Sequence, residues 1–187
     1  MDIQLFEGEL IRLALIDPEK DAETISKWTH DPEYLRLTDA DPARPLAPGQ
    51  VKKKLEDQDK EAEKARNQFH FAIRTKADDR LVGLASLFWI QWTHGAATLR
   101  LSIGQPEDRG RGYGRETLKM ILRYAFDELN LHRVGAMVFE YNPRAVKFLE
   151  QTGFVIEVRR RQAIQRDGRR WDILMLGLLR DEWKLEA

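Results

Sequence analysis

The chain has 187 residues with 31 basic and 31 acidic side chains, so its formal net charge is zero. This length is sufficient for one domain with a full core, and we expect residues 1–187 to form a single domain. Balanced charge excludes a net field that would attract the whole molecule to nucleic acid or to an anionic membrane surface. The chain contains no cysteine, which excludes disulfides, thiolate zinc sites and a cysteine nucleophile.

Two further features predict a cytoplasmic protein without membrane contact. The N-terminus has no basic segment followed by an apolar stretch, and no uncharged apolar run approaches the roughly 18 residues of a membrane-spanning helix. The lack of cysteine also suits a reducing compartment.

The first half of the chain predicts a strand, two helices and then three strands in succession. These elements are a strand over residues 9–15, helices over 21–30 and 51–66, and strands over 69–73, 81–90 and 97–103. Between the two helices, residues 38–48 contain three prolines, which disfavour both helix and sheet, so we expect a loop there. Its length is typical of loops that border a site. The three successive strands predict an antiparallel meander.

The second half predicts a helix, a strand, a shorter helix and a closing hairpin. The strongest helical pattern follows a glycine-rich segment, with apolar residues at helical spacing at Leu118, Ile121, Leu122, Ala125, Phe126 and Leu129. A strand over 133–139 and a helix over 143–152 precede a hairpin whose strands cover 154–164 and 171–179. This order predicts the fold class α+β, or mixed α/β.

The glycine-rich segment before the strong helix is the clearest functional motif. Gly110, Gly112 and Gly114 allow the backbone to turn its N–H groups inward as a concave nest, and the following helix adds the positive end of its dipole. Arg109 and Arg111 would supplement the nest with positive charge. The segment therefore predicts a site for a pyrophosphate.

Other glycine-rich motifs fit this segment less well. A Walker A loop requires Lys and then Ser or Thr after its last glycine, but Arg115 and Glu116 follow Gly114. A dinucleotide-binding fingerprint requires a third glycine at the position of Arg115 and a βαβ unit around it, whereas a meander precedes this loop. For the loop taken alone, an ordinary glycine-rich turn remains an alternative interpretation. The surrounding sequence therefore decides between such a turn and a phosphate site.

With its surroundings, the segment resembles the cofactor loop of the GNAT acetyltransferases, which reads Gln/Arg-x-x-Gly-x-Gly/Ala. Arg109, Gly112 and Gly114 match this pattern. A second signature of that family, an Asn that opens a helix ending in Gly-Phe, is matched by Asn142 and by Gly153 with Phe154. The element order agrees as well. Further segments resemble the RimJ/RimL branch: Asp31-Pro32-Glu33, Asn130-Leu131-His132-Arg133 and the turn at 167–172.

The resemblance implies a GNAT fold, in which a mostly antiparallel sheet splays between its fourth and fifth strands and holds acetyl-CoA in the gap. Backbone groups of Leu101, Ser102 and Ile103 would pair with the pantetheine arm, since a strand edge at a splay offers free N–H and C=O groups. One of these N–H groups would polarise the thioester carbonyl. Asn142 would orient the cofactor and Lys147 would approach its phosphates. The residues implied for the phosphate loop are Arg109, Gly110, Arg111, Gly112, Tyr113 and Gly114.

The acid and base are less well defined. Many members of the family have a Tyr four residues before the Gly of Gly-Phe as general acid, but this chain has Leu149 there. Members of the RimJ/RimL branch commonly lack this Tyr. Some relatives use a carboxylate on strand four or five to activate the amine through water, and at the strand-four position this chain has Thr98. Glu140 is the nearest acidic candidate for a base, and Ser102 is the nearest hydroxyl. A solvated strand end is the alternative for Glu140.

The remaining polar residues do not predict a second site. The four histidines are scattered without metal-ligand spacing, so no metal is expected. The arginines at 159–161, 166, 169 and 170 would be divided between two faces of a hairpin, so contact with nucleic acid or the ribosome is disfavoured against a solvated rim.

The sequence thus predicts an acetyl-CoA-dependent N-acetyltransferase acting on a primary amine, which is either a protein N-terminus or a small molecule. A homodimer is expected by analogy with relatives and from the frequency of two-fold pairs. The alternative hypothesis is a catalytically weak CoA-binding regulatory or interaction module, because the usual acid is absent at Leu149.

Overall fold

A computed structural model describes residues 4–183. One seven-stranded sheet with the order β1-β2-β3-β4-β5-β7-β6 organises the chain. All neighbouring strands are antiparallel except β4 and β5, which are parallel. The strands are β1 (Ile11–Ala14), β2 (Phe69–Thr75), β3 (Leu81–Gln91), β4 (Ala96–Ile103), β5 (Arg133–Phe139), β6 (Val155–Arg166) and β7 (Arg169–Leu179).

Helices cover both faces of the sheet. They are α1 (Pro18–Thr29), α2 (Pro32–Thr38), α3 (Pro48–Ala65), α4 (Tyr113–Arg123) and α5 (Pro143–Glu150). A π-helical turn (Tyr124–Glu128) extends α4, and short 3-10 turns occupy Pro106–Asp108 and Arg180–Glu182. The apolar side of α4 packs with α5 on one face, together with alternate residues of β4 and β5 such as Leu99 and Ala136. The opposite face packs against α1, α2 and α3 through a second cluster that contains Trp28, Tyr34 and Leu55.

The parallel pairing of β4 and β5 is short. It joins Ala96–Leu99 to Arg133–Ala136 and then ends, although both strands continue. Beyond this point β4 stays paired with β3, and β5 stays paired with β7. The two strands therefore diverge, and the sheet opens into a gap with the glycine-rich loop and α4 beside it.

Three carboxylates fix segments of the fold, two of them beside this gap and one far from it. Glu116 of α4 accepts hydrogen bonds from the backbone N–H groups of Glu9, Leu10 and Ile11, which holds the N-terminal segment against α4. Asp108 is 1% exposed and accepts two hydrogen bonds from Arg80, at 2.7 and 2.9 Å, just before the glycine-rich loop. Asp21 is 2% exposed and accepts two from Arg74, at 2.7 and 2.8 Å, at the far side of the sheet.

The sequence-based elements agree with this architecture, and the predicted fold class is confirmed. The strand over 133–139 has the predicted bounds, and the predicted hairpin turns at Asp167 and Gly168. The predicted strong helix is α-helical only as far as Arg123 and then widens into the π-helical turn. Helix α2 was not predicted, because seven residues are too few to display a helical period.

Candidate active site

A cavity of about 700 Å³ fills the gap between β4 and β5. Successive side chains of a strand point to opposite faces of the sheet. Residues of both faces line this cavity: Leu99 and Leu101 lie on the side of α4 and α5, and Thr98, Arg100 and Ser102 lie on the side of α2. The cavity therefore crosses the sheet at the splay. A molecule bound on the α4 side can present a group to a second molecule on the α2 side.

The edge of β4 supplies hydrogen-bonding groups to the gap. Gly104 N–H donates to Val82 O at 2.9 Å, in register with the pairing of Ser102 with Leu84. In an antiparallel ladder every second residue bonds to the neighbouring strand. Ser102 therefore directs its N–H and C=O to β3, whereas Leu101 and Ile103 direct theirs to the gap. Of the three predicted backbone partners, Leu101 and Ile103 have the required orientation, and Ser102 instead offers its side chain.

The glycine-rich loop has the backbone conformation of a nest. Gly110 and Gly112 have positive φ angles of 80° and 92°, which glycine adopts without strain, and Gly112 is the residue that caps α4. Gly112, Gly114 and Arg115 at the start of α4 line the cavity, so the unpaired N–H groups of this helix N-terminus lie beside it, where anions are stabilised. A Cβ at Gly114 would make only ordinary van der Waals contacts, the nearest being with Leu101 Cδ2 at 3.8 Å, so a small side chain fits there without displacing its neighbours. This cradle fits a pyrophosphate.

The arginines around the nest have different roles. Arg109 lines the cavity, but its guanidinium donates to Gly104 O at 3.0 Å and approaches Asp31 at 3.5 Å, which ties the loop to the start of α2. Arg111 donates to Glu107 O at 2.7 Å and does not line the cavity. Two cations that the sequence analysis did not select line the cavity at the nest instead, namely Arg115 of α4 and Arg144 of α5.

The second sequence signature also reaches the cavity. Asn142 lines it, and its Oδ1 accepts a hydrogen bond from Ala145 N at 3.1 Å as the cap of α5. Arg144, in the first turn of α5, lies near Gly110: a Cβ placed on Gly110 would be 3.3 Å from Arg144 Nη2. Lys147 is exposed and outside the cavity lining, and the side chain of Tyr113 packs toward the core.

A hydroxyl pair lies on the α2 side of the cavity. Ser102 Oγ and Tyr34 Oη are 3.1 Å apart, and both residues line the cavity. Burial raises the pKa of Tyr34, although the hydrogen bond with Ser102 and the charges of Arg109 and Arg100 oppose the rise. Tyr34 therefore stays protonated at neutral pH. It escaped the sequence analysis because α2 itself did; the only signal was Asp31-Pro32, which begins this helix.

Glu140 lies at the end of β5 but does not line the cavity. Its carboxylate accepts from Arg159 Nη1 at 2.9 Å and from Asp172 N at 3.1 Å, and these contacts fasten β5 to the closing hairpin. Leu149, at the position of the usual acid, is buried and lines the cavity with an apolar side chain. No described residue replaces the hydroxyl at that position.

The sequence was compared with protein families and with known proteins. It matches the acetyltransferase (GNAT) domain family over residues 12–155. The chain belongs to the GNAT acetyltransferase family. The predicted family, the enzyme class and the use of acetyl-CoA are confirmed at this level.

Relatives of this GNAT chain include proteins of similar length. The SPbeta prophage-derived uncharacterized N-acetyltransferase YokL of Bacillus subtilis (strain 168) is 27% identical over 185 residues, which cover 99% of this chain and 98% of YokL. Spermidine N(1)-acetyltransferase of Vibrio cholerae is 33% identical over 107 residues, or 57% of this chain and 61% of that enzyme. A crystal structure of spermidine N-acetyltransferase from Vibrio cholerae in complex with CoA and spermine has a TM-score of 0.77 at 24% identity, over 92% of this chain and 96% of that one.

Residues 4–183 lack two other kinds of feature. They contain no group of three or more His, Asp or Glu residues arranged to hold a metal ion. None of the helices in the same range is both long enough and apolar enough to cross a membrane.

Proposed function

We propose that this GNAT chain transfers acetyl from acetyl-CoA to a small primary amine, by direct attack of the amine on the thioester in the gap between β4 and β5. The observation that carries the proposal is the cavity that crosses the sheet, with the phosphate nest at its α4 end. Acetyl-CoA supplies an activated acyl group on a thiolate that can leave without full protonation. The chain supplies binding, orientation and charge stabilisation.

The cofactor is proposed to lie along the α4 side of the gap. The nest at Gly110, Gly112 and Gly114 would hold its pyrophosphate, with charge from Arg115 and Arg144. Leu101 and Ile103 would pair with its pantetheine arm through backbone groups. Arg111 and Lys147 are proposed to contact phosphates of the cofactor outside the nest. Tyr113 is proposed to shape the start of α4, and Asn142 the start of α5.

The proposed catalysis relies on backbone and hydroxyl groups. The N–H of Leu101 is the first that faces the gap beyond the last paired residues of β4, so it would stabilise negative charge on the thioester oxygen. Ser102 and Tyr34 would orient the acceptor on the α2 side, because a protonated Tyr34 donates a hydrogen bond at neutral pH. Glu140 is retained as a proposed base acting only through water, because its carboxylate does not line the cavity.

Thiol release tests the proposed reaction. The purified protein is mixed with acetyl-CoA and each of a panel of amines: peptides with free N-termini, amino acids, polyamines and an aminoglycoside. We expect one equivalent of CoA per acetylated amine and no release without the amine. Tight CoA binding with no amine-dependent thiol would instead support a catalytically weak CoA-binding module.

Replacing Tyr34 with Phe tests the hydroxyl pair. We expect kcat/KM to fall about ten-fold, because one hydrogen bond that positions the acceptor is lost, while the Kd for CoA changes less than two-fold. Tyr124→Phe is the matched control, since Tyr124 is also a buried tyrosine with a pKa raised by burial but packs against Phe69 and Phe71, away from the cavity. Equal losses of kcat/KM in both variants would assign Tyr34 a purely structural role.

Several broader features are proposed with this function. We assign the whole of residues 1–187 to one GNAT domain of the RimJ/RimL-like branch, on the motifs at Asp31-Pro32 and at 130–133. A cytoplasmic location agrees with the use of acetyl-CoA, which is made inside cells. A homodimer is supported by the exposed apolar side chains of Met137, Val158 and Met175 on one face of the sheet.

A further inference from the structure

Arg100 of β4 is a cation that the binding of acetyl-CoA leaves without a role. It lines the cavity on the α2 side, roughly 7 Å along the strand from Thr98 and from Ser102. Its guanidinium lies 5.3 Å from the centre of the Phe88 ring. Within residues 4–183, no Asp or Glu forms an ion pair with it.

No described carboxylate that lines the cavity forms an ion pair with Arg100. Glu33 is the one acidic residue among the described residues that line the cavity, and it lies 3.7 Å from Arg109 rather than near Arg100. Arg115 and Arg144 lie at the phosphate nest, on the other side of the sheet. The α2 side thus presents to the acceptor the guanidinium of Arg100, the hydroxyl pair of Ser102 and Tyr34, and apolar walls, whereas Arg109 is held by Asp31 and Glu33.

Polar contacts between the end of α2 and the tip of the β6-β7 hairpin also bound the α2 side of the cavity. Arg166 donates to Asp41 O at 2.9 Å, and Arg36 forms an ion pair with Asp167 at 2.9 Å. Tyr141, which lines the cavity, donates to Arg36 O at 2.7 Å. These contacts close one side of the acceptor space and favour a small molecule over a long chain that passes through.

We propose that the acceptor is a small amine that also carries a carboxylate, and that Arg100 binds this carboxylate while the amine faces the thioester. This inference rests on the proposed acetyl transfer. A planar guanidinium pairs with a carboxylate through two parallel hydrogen bonds, which fixes orientation as well as supplying charge. A polyamine would instead bring positive charge against Arg100, so the spermidine acceptor named for the Vibrio cholerae relative is disfavoured for this chain.

Matched pairs of amines that differ only by a carboxylate test the inference. They are lysine with cadaverine, ornithine with putrescine, and β-alanine with ethylamine. For each pair, kcat/KM is measured by CoA release, and Kd is measured by titration into the complex with CoA, in which no transfer takes place. The proteins compared are the wild type, Arg100→Gln, Arg100→Lys and the control Arg161→Gln, which replaces an exposed arginine of β6 outside the cavity.

We expect the wild type to prefer at least one carboxylated member over its partner by about 10- to 100-fold in Kd and in kcat/KM. Arg100→Gln should bring this ratio close to one, Arg100→Lys should retain part of it, and Arg161→Gln should leave it intact. Such a preference in Kd without thiol release would refute the acetyl transfer but leave the carboxylate site standing. Three results would each overturn the inference. They are thiol release with no preference for the carboxylated amine, a preference in Arg100→Gln equal to that of the wild type, and no binding of any carboxylated amine.

Discussion

Replacing Gly114 with Asp is expected to abolish CoA binding while the protein stays folded. Gly114 lines the cavity and has no positive φ, and a Cβ there meets nothing closer than 3.8 Å, so the backbone and the Cβ accept the substitution without strain. An acidic residue in the first turn also interacts favourably with the helix dipole, and replacing a helical glycine removes a cost in backbone entropy. The thermal unfolding temperature should therefore stay the same or rise.

The loss of binding has an electrostatic cause. A carboxylate about 5 Å from a phosphate charge costs roughly 3 kcal/mol at the effective dielectric constant of a protein surface, or more than 100-fold in Kd. Gly114→Asn is the matched control, because it has the same size without the charge, and we expect its Kd to stay within roughly ten-fold of the wild type. Calorimetric titration with CoA measures both. Equal affinities for the Asp and Asn variants would contradict the assignment of the pyrophosphate to this nest.

Gly114 is a cleaner position for this test than Gly112. A Cβ at Gly112 would lie 3.1 Å from Leu10 Cδ1, and its φ of 92° strains any other residue. A loss of CoA binding in a Gly112 variant would therefore mix a local distortion of the loop with the loss of the phosphate contact.

Asp108→Asn is expected to lower both stability and CoA affinity. Its carboxylate is buried and accepts two hydrogen bonds from Arg80, and these hydrogen bonds are the main reason that the pKa of Arg80 is raised. Because Arg80 is partly exposed, we expect the loss of the pair to cost roughly 2 to 3 kcal/mol, less than for a fully buried pair. The affinity for CoA should fall about ten-fold, because Asp108 anchors the start of the glycine-rich loop.

A second buried pair separates these two effects. Asp21→Asn breaks the comparable pair with Arg74, which joins α1 to β2 far from the loop. Its unfolding free energy should fall by a similar amount of roughly 2 to 3 kcal/mol, with an unchanged Kd for CoA. Urea unfolding and CoA titration of both variants provide the comparison. If Asp21→Asn weakened CoA binding as much as Asp108→Asn does, the loop anchor would have no specific role.

Features of the sequence that depend on local chemistry were predicted well. Strand alternation, helical periodicity and the glycine positions each depend on a few neighbouring residues, and they placed the strands, α4 and the nest. The gap itself was predicted from the family resemblance and not from a pattern, because the end of the β4-β5 pairing depends on the whole sheet.

Features that depend on tertiary position were missed. Lys147 and Arg144 lie on one helix, three residues apart, and only the placement of α5 decides that Arg144 lines the cavity. Arg109 carries the charge expected of a phosphate ligand, yet the carbonyl of Gly104 draws its guanidinium toward α2. Glu140 directly follows β5, a strand that borders the gap, but Arg159 of the neighbouring hairpin binds its carboxylate. Long-range partners of this kind cannot be predicted from the neighbouring residues in the sequence.

The most direct test of the account is residue-resolved amide hydrogen exchange with and without CoA. If the cofactor lies along β4, the N–H groups of Leu101 and Ile103, which face the gap, become protected when CoA binds. The N–H of Ser102 already bonds to β3 and should exchange at the same slow rate in both states. Unchanged exchange at Leu101 and Ile103 under saturating CoA would contradict the placement of the cofactor in the gap between β4 and β5.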